Sequence, residues 1–515
     1  MKNTLTRRGG KLWERERPGL LFLLIFALVF LRFCYYGLEY FPQLDDYIQM
    51  YNQPAFYSFT RIVLDMGLLA SRPLASVMDY AFWSHFWPCM IAAVALISAL
   101  YAASACLFRR VWGEYFGTGY VFLAVYALLP LGMEGTYWIS ASNRVVPSLF
   151  FIALAMRLFQ RWCTGGKRRF LILYFLTQLV SFCFYEQGLV LSITGVLLVG
   201  ILEFFRQRRR ALFSLLTFVN VIIYFLFTSA FSTGTGQLGS RLKLTLPWQE
   251  GWGQVFSSAA RQTGTSFLLG GYKTLFRGFR RGVECIFAEL NPLWLLLLVI
   301  FCILLFFCTR RFTVEGKRPV TALIVGFLMA LAPITLFFVL SNPSIALRNT
   351  VFSFCGIALA ADALFNMIFR GVRARNLIAG ILCAVFAFGA SVCAVSELHD
   401  YRETYLADQR AAAAITDALG DGDGISAAAK VGIIGLQSDY LPEQNFKYHE
   451  HIHGATESVW GLTGLLMYKS DNPNFPYCTP LPTGQEDLSG FDILLIYDHE
   501  TGTARRYTPE MKDSE

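Results

Sequence analysis

Residues 293–309 read LWLLLLVIFCILLFFCT and are followed at once by Arg310 and Arg311. An uncharged apolar run of this length spans a lipid bilayer when it is helical, and the two arginines mark its return to water. Similar apolar runs recur along the chain between short basic clusters. They are residues 19–36, 88–108, 118–133, 143–160, 170–185, 187–204, 211–230, 320–340, 351–369 and 377–396. The sequence therefore predicts a mainly α-helical, polytopic membrane protein of about 11 transmembrane helices.

The composition is also that of a membrane protein. Hydrophobic residues make up 55% of the chain and charged residues only 16%, whereas soluble domains carry about a quarter charged residues. The net charge of +8 does not indicate nucleic-acid binding, because the basic residues gather in alternate connections between the apolar runs. These clusters are residues 2–17, 109–110, 157–169, 206–210, 310–318 and 370–375. By the positive-inside rule they predict a cytoplasmic N-terminus and, after an odd number of spans, an extracytoplasmic C-terminus.

Two parts of different polarity divide the chain. Residues 1–396 hold the apolar runs and two long loops on the predicted outer side, 37–87 and 231–292. The first apolar run is long and is followed by bulky residues, which favours a retained span over a cleaved signal peptide. Residues 397–515 are polar and form the predicted extracytoplasmic C-terminal domain.

Local patterns indicate what the C-terminal domain contains. Residues 403–419 are helix-like, a Gly/Asp linker occupies 420–424, and the runs 430–435 and 492–497 are strand-like. Short apolar strands bounded by Gly and Asp, with a helix beside them, predict a small α/β cap over the membrane part.

Two adjacent carboxylates, Asp45 and Asp46, follow the first apolar run at its predicted outer end. Placing ionised acids near apolar surface costs free energy, so such acids usually have a function. Their mutual repulsion favours raising the pKa of one of them toward the range of a general base. The alternative is that they form a solvated turn or cap a helix N-terminus.

Other polar residues collect on the same predicted side. They are Arg72, Glu134, Asn143, Arg144, Glu186, Gln187 and Arg348. Charged groups at membrane depth are expected to line a cavity and to pair, so this set could bind a phosphate and deprotonate a hydroxyl beside it. Taken singly, Glu134 and Arg144 could pair across a turn, Glu186 could cap the sixth span, and Arg348 could reach lipid headgroups.

No metal site is assigned. The run His449-Glu450-His451-Ile452-His453 would place three histidines on one face of a strand, but no second ligand cluster accompanies it. A solvated loop is therefore favoured there. Most of the 12 cysteines fall within the apolar runs, where cysteine behaves as a small apolar residue. Glycine-rich phosphate loops, G-x-S-x-G elbows and H-E-x-x-H are absent.

Four short motifs carry a resemblance to a known family. They are Asp45-Asp46-Tyr47, Arg72-Pro73-Leu74, Tyr185-Glu186-Gln187 and Arg348 in its short turn. With many spans and a C-terminal cap, the membrane part, roughly 19–396, resembles the GT-C superfamily of glycosyltransferases, which use polyprenyl-phosphate-linked sugars. It looks most like the bacterial glucosyltransferase II group, which modifies O-antigen and related surface polysaccharides of the cell envelope.

The resemblance implies an inverting transfer at the outer face of the bacterial cytoplasmic membrane, to a glycan or glycolipid acceptor. Asp45 or Asp46 would accept the proton of the acceptor hydroxyl, and Arg72 or Arg348 would bind the departing lipid phosphate. Glu134 or Glu186 would hold sugar hydroxyls, with Asn143, Arg144 and Gln187 beside them. Some family members use a divalent cation at the acidic loop and others do not, so the sequence leaves a cation open.

Two other classes of function remain open from the sequence. A transporter or flippase of lipid-linked saccharides would often show repeated halves and charges at mid-span, whereas no repeat is found here and the charges lie at span ends. A non-enzymatic scaffold for envelope assembly would leave the acids without a role.

Overall fold

The structure is a computed structural model that describes residues 17–62, 69, 72–231, 244–312, 314–422, 424–436, 454–484 and 488–507. Its longer helices, numbered along the chain, are α1 Pro18–Leu31, α2 Pro73–Ala81, α3 Met90–Phe116, α4 Tyr120–Leu128, α5 Ile139–Gly165, α6 Arg168–Phe182, α7 Glu186–Ala211, α8 Leu216–Ala230, α9 Trp252–Gln262, α10 Gly271–Ala288, α11 Pro292–Phe312, α12 Pro319–Thr335, α13 Phe354–Ile368, α14 Arg375–Leu419 and α15 Val459–Ser470. The strands are β1 Lys430–Ile434, β2 Tyr477–Leu481, β3 Ile493–Asp498 and β4 Thr503–Arg506.

The prediction of a mainly α-helical membrane protein is confirmed. Among the described residues, 7 helical stretches are long and apolar enough to cross a membrane. They are Trp83–Phe116, Ile139–Gly165, Glu186–Ala230, Pro292–Phe312, Pro319–Phe338, Leu347–Ile368 and Arg375–Gly422. In α11, which contains the run 293–309, Leu298 and Leu305 are buried while Leu296 and Phe307 are exposed, so one side of the helix is left for lipid.

The number of eleven spans is not confirmed. A helix lies in each of the predicted apolar runs, but α1, α4 and α6 have only 14, 9 and 15 residues, fewer than the roughly 20 that a bilayer requires. Two predicted spans, α7 and α8, belong to one stretch that bends where Gln207 departs from helical backbone angles. The prediction counted too many full spans because an apolar run in the sequence can be longer than the helix that it forms.

Small residues let the membrane helices approach closely. At the contact of α12 with α13, a Cβ atom added to Gly356 would lie 2.1 Å from the backbone nitrogen of Ala330, and one added to Gly326 would lie 2.7 Å from that of Ala360. Such backbone contact is a common way for helices to associate in a bilayer, where the hydrophobic effect gives no drive between them.

The basic connections meet at one end of the helix bundle. The backbone nitrogen of Lys317 donates to the carbonyl of Phe116 at 2.6 Å. At the same end, the Arg375 guanidinium donates to the carbonyl of Val314 at 2.8 Å, and that of Arg210 donates to the carbonyl of Cys163 at 3.1 Å. We call this the basic end, and the end where α5 and α7 begin the cap end.

Helix α14 joins the membrane part to the C-terminal unit. Its 45 residues run without a break across positions 396 and 397, and at about 1.5 Å per residue it is long enough to cross a bilayer and continue beyond it. It ends at Leu419, before the turn Gly420–Gly422, as the helix-like and Gly/Asp patterns predicted. The chain therefore passes from one part to the other through a helix rather than a linker.

A four-stranded sheet with the order β2-β1-β3-β4 forms the centre of the C-terminal unit. Strand β1 pairs in parallel with β2 and β3, and β3 pairs antiparallel with β4. Both predicted strand-like runs are strands, and α15 precedes β2 in the chain. The apolar core of this unit includes Tyr47 from the first loop, together with Leu462 and Leu465 of α15.

The two long loops contain helices in the parts that the structure describes. Within the first long loop, 37–87, helix α2 begins directly after Arg72. Within the second long loop, 231–292, the chain forms α9, a π-helical segment Thr263–Gly270 and α10. The Gly-rich residues 232–236 and the histidine run 449–453 lie outside the described residues. All 12 cysteines are free thiols, including Cys285 and Cys478, which are buried.

Candidate functional site at the cap end

Asp46 is fully buried and holds the start of helix α5. Its Oδ1 accepts hydrogen bonds from the backbone nitrogen and the hydroxyl of Ser140 at 3.1 and 2.6 Å. Its Oδ2 accepts from the Tyr40 hydroxyl at 2.6 Å and from the backbone nitrogen of Gln43 at 3.0 Å. Asp46 thereby satisfies one of the amide groups that a helix N-terminus leaves without an intrahelical partner.

This burial changes the acidity of Asp46. Removal from water raises the pKa of its carboxyl from 3.8 to about 6, although the hydrogen bonds from Ser140, Tyr40 and Gln43 favour the ionised form and oppose the rise. The helix-cap alternative considered from the sequence therefore describes Asp46 well, with the difference that it caps a helix distant in the chain.

Asp45 has a different environment from its neighbour. It is only half buried, and its Oδ1 accepts a hydrogen bond from the indole nitrogen of Trp460 at 3.2 Å. Trp460 belongs to the first turn of α15, so the C-terminal unit contacts the acidic pair directly. Of the two carboxylates, Asp45 is the one that is accessible from solvent.

Arg72 and Glu186 form an ion pair across the starts of α2 and α7. The Nε of Arg72 donates to both carboxylate oxygens of Glu186, at 2.9 and 3.0 Å. The guanidinium also lies over the ring of Tyr185, 4.1 Å from its centroid. Burial alone would lower the pKa of Arg72, but Glu186 and Tyr185 outweigh it and raise that pKa above its usual value.

Glu134 pairs with Arg348, at 3.8 Å between the carboxylate and the guanidinium. The carboxylate is fully buried, whereas the Arg348 side chain retains 20% exposure and lies over the ring of Trp138. The loop that carries Glu134 can approach Arg348 only because Gly132 has a φ of +61° and no side chain. A Cβ atom there would lie 2.4 Å from the carbonyl oxygen of Leu347.

Arg144 pairs with Asp79, a residue that the sequence did not single out. Its guanidinium donates to Asp79 Oδ2 at 2.6 Å and to the side-chain oxygen of Gln49 at 2.7 Å, while Asn143 donates to Asp79 Oδ1 at 2.6 Å. Asp79 is two helical turns beyond Arg72, a spacing that could have indicated a shared face. Glu134 and Arg144, considered as a pair from the sequence, have different partners.

Gln187 ties the start of α7 to the turn that carries Arg348. It is buried, and its side-chain oxygen accepts a hydrogen bond from Asn349 at 2.8 Å. Asn349 also donates to the Tyr185 hydroxyl at 3.4 Å. Gln187 therefore positions the segments that carry Glu186 and Arg348.

The three ion pairs form one group, which we call the arginine cluster. It consists of Arg72 with Glu186, Arg144 with Asp79, and Arg348 with Glu134. The positive charge of Arg348 acts on Arg72, and that of Arg72 acts on Asp79, so the pairs are neighbours. In each pair the arginine side chain is more exposed than the acid, with 23%, 15% and 20% exposure for the arginines. The accessible surface of the cluster is therefore biased toward positive charge.

Asp45 lies beside this cluster. It is four residues before Gln49 in the helical segment that continues through the π-helical turn Tyr47–Asn52, so the two residues are about one helical turn apart. Gln49 contacts Arg144. The structure thus brings all the predicted site residues to the cap end, with Asp46, Asn143 and Gln187 in buried supporting positions.

An apolar cavity of about 320 Å³ lies near the loop of Glu134. It is lined by Pro130, Leu275, Phe276, Phe279, Phe386, Gly389, Ala390 and Cys393. Pro130 is four residues before Glu134, whereas Phe276 belongs to the exposed face of α10 and retains 64% exposure. The cavity therefore lies beside a surface suited to lipid, and through Pro130 it borders the chain segment that leads to Glu134.

Within the described ranges, no three His, Cys, Asp or Glu side chains come together in a way that could hold a metal ion. Asp45 and Asp46 are directed to different partners, the indole of Trp460 and the start of α5.

No family model matches this sequence, and no curated protein matches it either. What the chain does must therefore be inferred from its residues and their geometry.

Proposed function

We propose that this protein is a membrane glycosyltransferase of the GT-C type. It would transfer a sugar from a polyprenyl-phosphate carrier to a surface glycan or glycolipid on the extracytoplasmic face of a bacterial cytoplasmic membrane. In this proposal the apolar helices cross the membrane an odd number of times, so that the basic end is cytoplasmic and the C-terminal unit is extracytoplasmic. The observation that carries the proposal is the arginine cluster, which lies at the cap end near an apolar cavity.

The donor is the first part of the proposal. A polyprenyl phosphate combines a long apolar chain with an anionic head, and the apolar cavity near Pro130 and the guanidinium groups of Arg72 and Arg348 offer both kinds of contact. A guanidinium binds phosphate through short, charge-assisted and often bidentate hydrogen bonds. Because Glu186 and Glu134 already orient these arginines, little further ordering is needed when the phosphate binds.

In the chemical step, Asp45 acts as the general base. The acceptor hydroxyl gives its proton to Asp45 while its oxygen forms a bond to the anomeric carbon of the donor sugar. The bond from that carbon to the phosphate oxygen breaks on the opposite side, and the polyprenyl phosphate leaves with the electron pair. Asp45 is suited to this step because it is accessible, whereas Asp46 fixes the loop by capping α5.

Binding of undecaprenyl phosphate to protein in lipid nanodiscs tests the donor site. Arg72→Ala and Arg348→Ala should each weaken binding about tenfold or more, since each loses a charge-assisted contact. Arg61→Ala is the matched control, because Arg61 lies over the Tyr57 ring in the same loop and outside the arginine cluster. Undecaprenol, which has no phosphate, should not distinguish the variants. Equal binding of the phosphate by all variants would refute the site.

Turnover separates the enzyme from the transporter that the sequence left open. Purified protein is given undecaprenyl phosphate glucose with a labelled sugar, together with a glycolipid extract of the bacterial envelope. The label is then followed in the donor and in the glycolipid. Label in the glycolipid supports the transferase. Movement of the intact donor across a vesicle bilayer, without transfer, would favour the transporter instead.

A further inference from the structure

Trp460 is a large aromatic side chain held at the edge of the acidic loop with much of its surface accessible. Its side chain is 56% exposed, although it belongs to the helix that packs against the membrane part. The indole nitrogen donates to Asp45 Oδ1 at 3.2 Å. That hydrogen bond fixes one edge of the ring, so the exposed area belongs to an oriented ring rather than to a freely moving one.

The support beneath Trp460 is firm. Asn52 donates to the carbonyl of Gly464 at 2.8 Å, and Tyr51 donates to Asp471 at 2.8 Å. Gly461 and Gly464 face the first loop, where a Cβ atom added to Gly464 would lie 2.7 Å from Ile48. Helix α15 therefore lies directly on the segment that carries Asp45, and the ring keeps its place relative to the carboxylate.

The chemistry of this arrangement fits a sugar ring. A pyranose has apolar faces made of C–H groups and a rim of hydroxyls, so it binds well where a flat aromatic surface adjoins a hydrogen-bond acceptor. Trp460 supplies the aromatic surface and Asp45 supplies the acceptor. The polar row continues about one helical turn further with Gln49, which contacts Arg144. An anionic lipid headgroup would fit less well, because the carboxylate at the ring edge would repel it.

We propose that Trp460 and Asp45 form a carbohydrate-binding subsite that takes a pyranose of the acceptor glycan. A sugar stacked on the indole would present a rim hydroxyl to Asp45, which is the proton transfer that the proposed function requires. The inference rests on that proposed function for the identity of the ligand as an acceptor. The binding itself needs no donor, and it can be measured separately.

Saturation-transfer NMR on the full-length protein in nanodiscs tests the subsite. The probes are cellotetraose, maltotetraose, chitotetraose and mannotetraose, without donor. At least one should bind to the wild type, and its binding should weaken about tenfold in Trp460→Ala. Trp460→Phe keeps an aromatic face and should retain most of the binding. Tyr477→Ala is the matched control, because Tyr477 lies on the same unit with 60% exposure and should not affect binding.

The outcomes are distinguishable from those of the proposed function. Failure of all four sugars to bind more tightly to the wild type than to Trp460→Ala would overturn the subsite. Equal loss in Tyr477→Ala would overturn it too, since the effect would then be general. If donor transfer occurs and Trp460→Ala leaves the acceptor KM unchanged, the subsite is wrong while the transferase stands. Sugar binding without transfer would support the subsite and count against the transferase.

Discussion

Asp45 and Asp46 are adjacent in the chain but have different physical roles. A general base must be accessible and must be able to lose its proton to solvent after each cycle, which suits the half-buried Asp45. Asp46 accepts four hydrogen bonds inside the protein, so its carboxylate is a structural acceptor. Replacing Asp45 is therefore expected to affect the rate of transfer, and replacing Asp46 to affect the stability of the fold.

The first prediction compares Asp45→Asn with Asp46→Asn. Asp45→Asn should lower the rate of sugar transfer about 10²- to 10⁴-fold, as loss of a positioned base does, and should leave thermal unfolding nearly unchanged. Below about pH 4, Asp46→Asn should lower the free energy of unfolding by about 1–3 kcal/mol, because an amide nitrogen cannot accept the hydrogen bonds that both carboxyl oxygens receive. Transfer rates and thermal unfolding in detergent measure both effects. A full rate in Asp45→Asn would contradict its assignment as the base.

The second prediction concerns the pH dependence of stability. The pKa of Asp46 rises from 3.8 to about 6 through burial, so the folded state binds its proton more tightly than the unfolded state does. Its contribution to stability is therefore fully present below about pH 4 and is lost as the pH rises through about 6. The free energy of unfolding of the wild type should fall relative to Asp46→Asn over this interval, by on the order of 3 kcal/mol. A difference between the two proteins that does not change with pH would show that Asp46 does not titrate in this way.

At the scale of elements, two short loops determine whether Glu134 meets Arg348. The turn around Gly132 and the turn before α13 contact each other through their backbones, with Gly132 in a left-handed conformation. A side chain at this position would be strained and would collide with the carbonyl oxygen of Leu347. The pairing of the two charged residues thus depends on a residue that carries no charge.

The third prediction is that Gly132→Ala separates the two loops. It should lower the free energy of unfolding by at least about 1–2 kcal/mol, the cost of a left-handed backbone at a residue with a side chain. It should also weaken undecaprenyl phosphate binding, since Arg348 loses its fixed position. Gly253→Ala is the matched control, because Gly253 has no atom within 4 Å of an added Cβ and its φ is ordinary. An equal effect of both substitutions on binding would exclude a role for the contact.

The sequence predicted the elements better than their lengths and partners. Apolar runs and basic clusters are local signals, so α11 and the strands β1 and β3 could be predicted directly. The short helix α4 could not be distinguished from a full span, because an apolar segment buried in protein resembles one buried in lipid. The polar residues at the predicted outer span ends could be grouped from the sequence, but the pairing of Glu134 with Arg348 joins distant positions, and no local pattern encodes it. Asp79 was missed because its partners Asn143 and Arg144 belong to another segment, and only its spacing from Arg72 could have indicated it.

At the scale of the whole molecule, the distribution of charge defines two different ends. The arginine-rich connections meet at the basic end, where Arg210 contacts Cys163. The C-terminal unit meets the acidic loop at the cap end, where Trp460 contacts Asp45. A bilayer between these ends would place the arginine-rich connections on the cytoplasmic side under the positive-inside rule.

The fourth prediction tests this topology. Reporter fusions after Arg208 and after the last residue should report opposite sides of the membrane, with the Arg208 fusion cytoplasmic. The physical reason is that Arg208 belongs to the basic cluster at the end of α7, whereas the chain end follows the C-terminal unit. A fusion after Arg373 serves as a control and should behave like the Arg208 fusion. If the Arg208 fusion and the fusion after the last residue reported the same side of the membrane, an odd number of spans between them would be excluded.

The contact between Tyr51 and Asp471 has a consequence for how the protein is made. These residues are 420 positions apart, and Asn52 and Gly464 are similarly distant. During synthesis the loop of Asp45 leaves the ribosome long before the helix on which it will rest, so for most of translation it lacks its native partner. Only a chain completed beyond Asp471 can close this contact. Under the proposed function, chains that terminate before Asp471 should therefore insert into the membrane yet transfer no sugar, and the late contact would restrict transfer to chains that reach this residue.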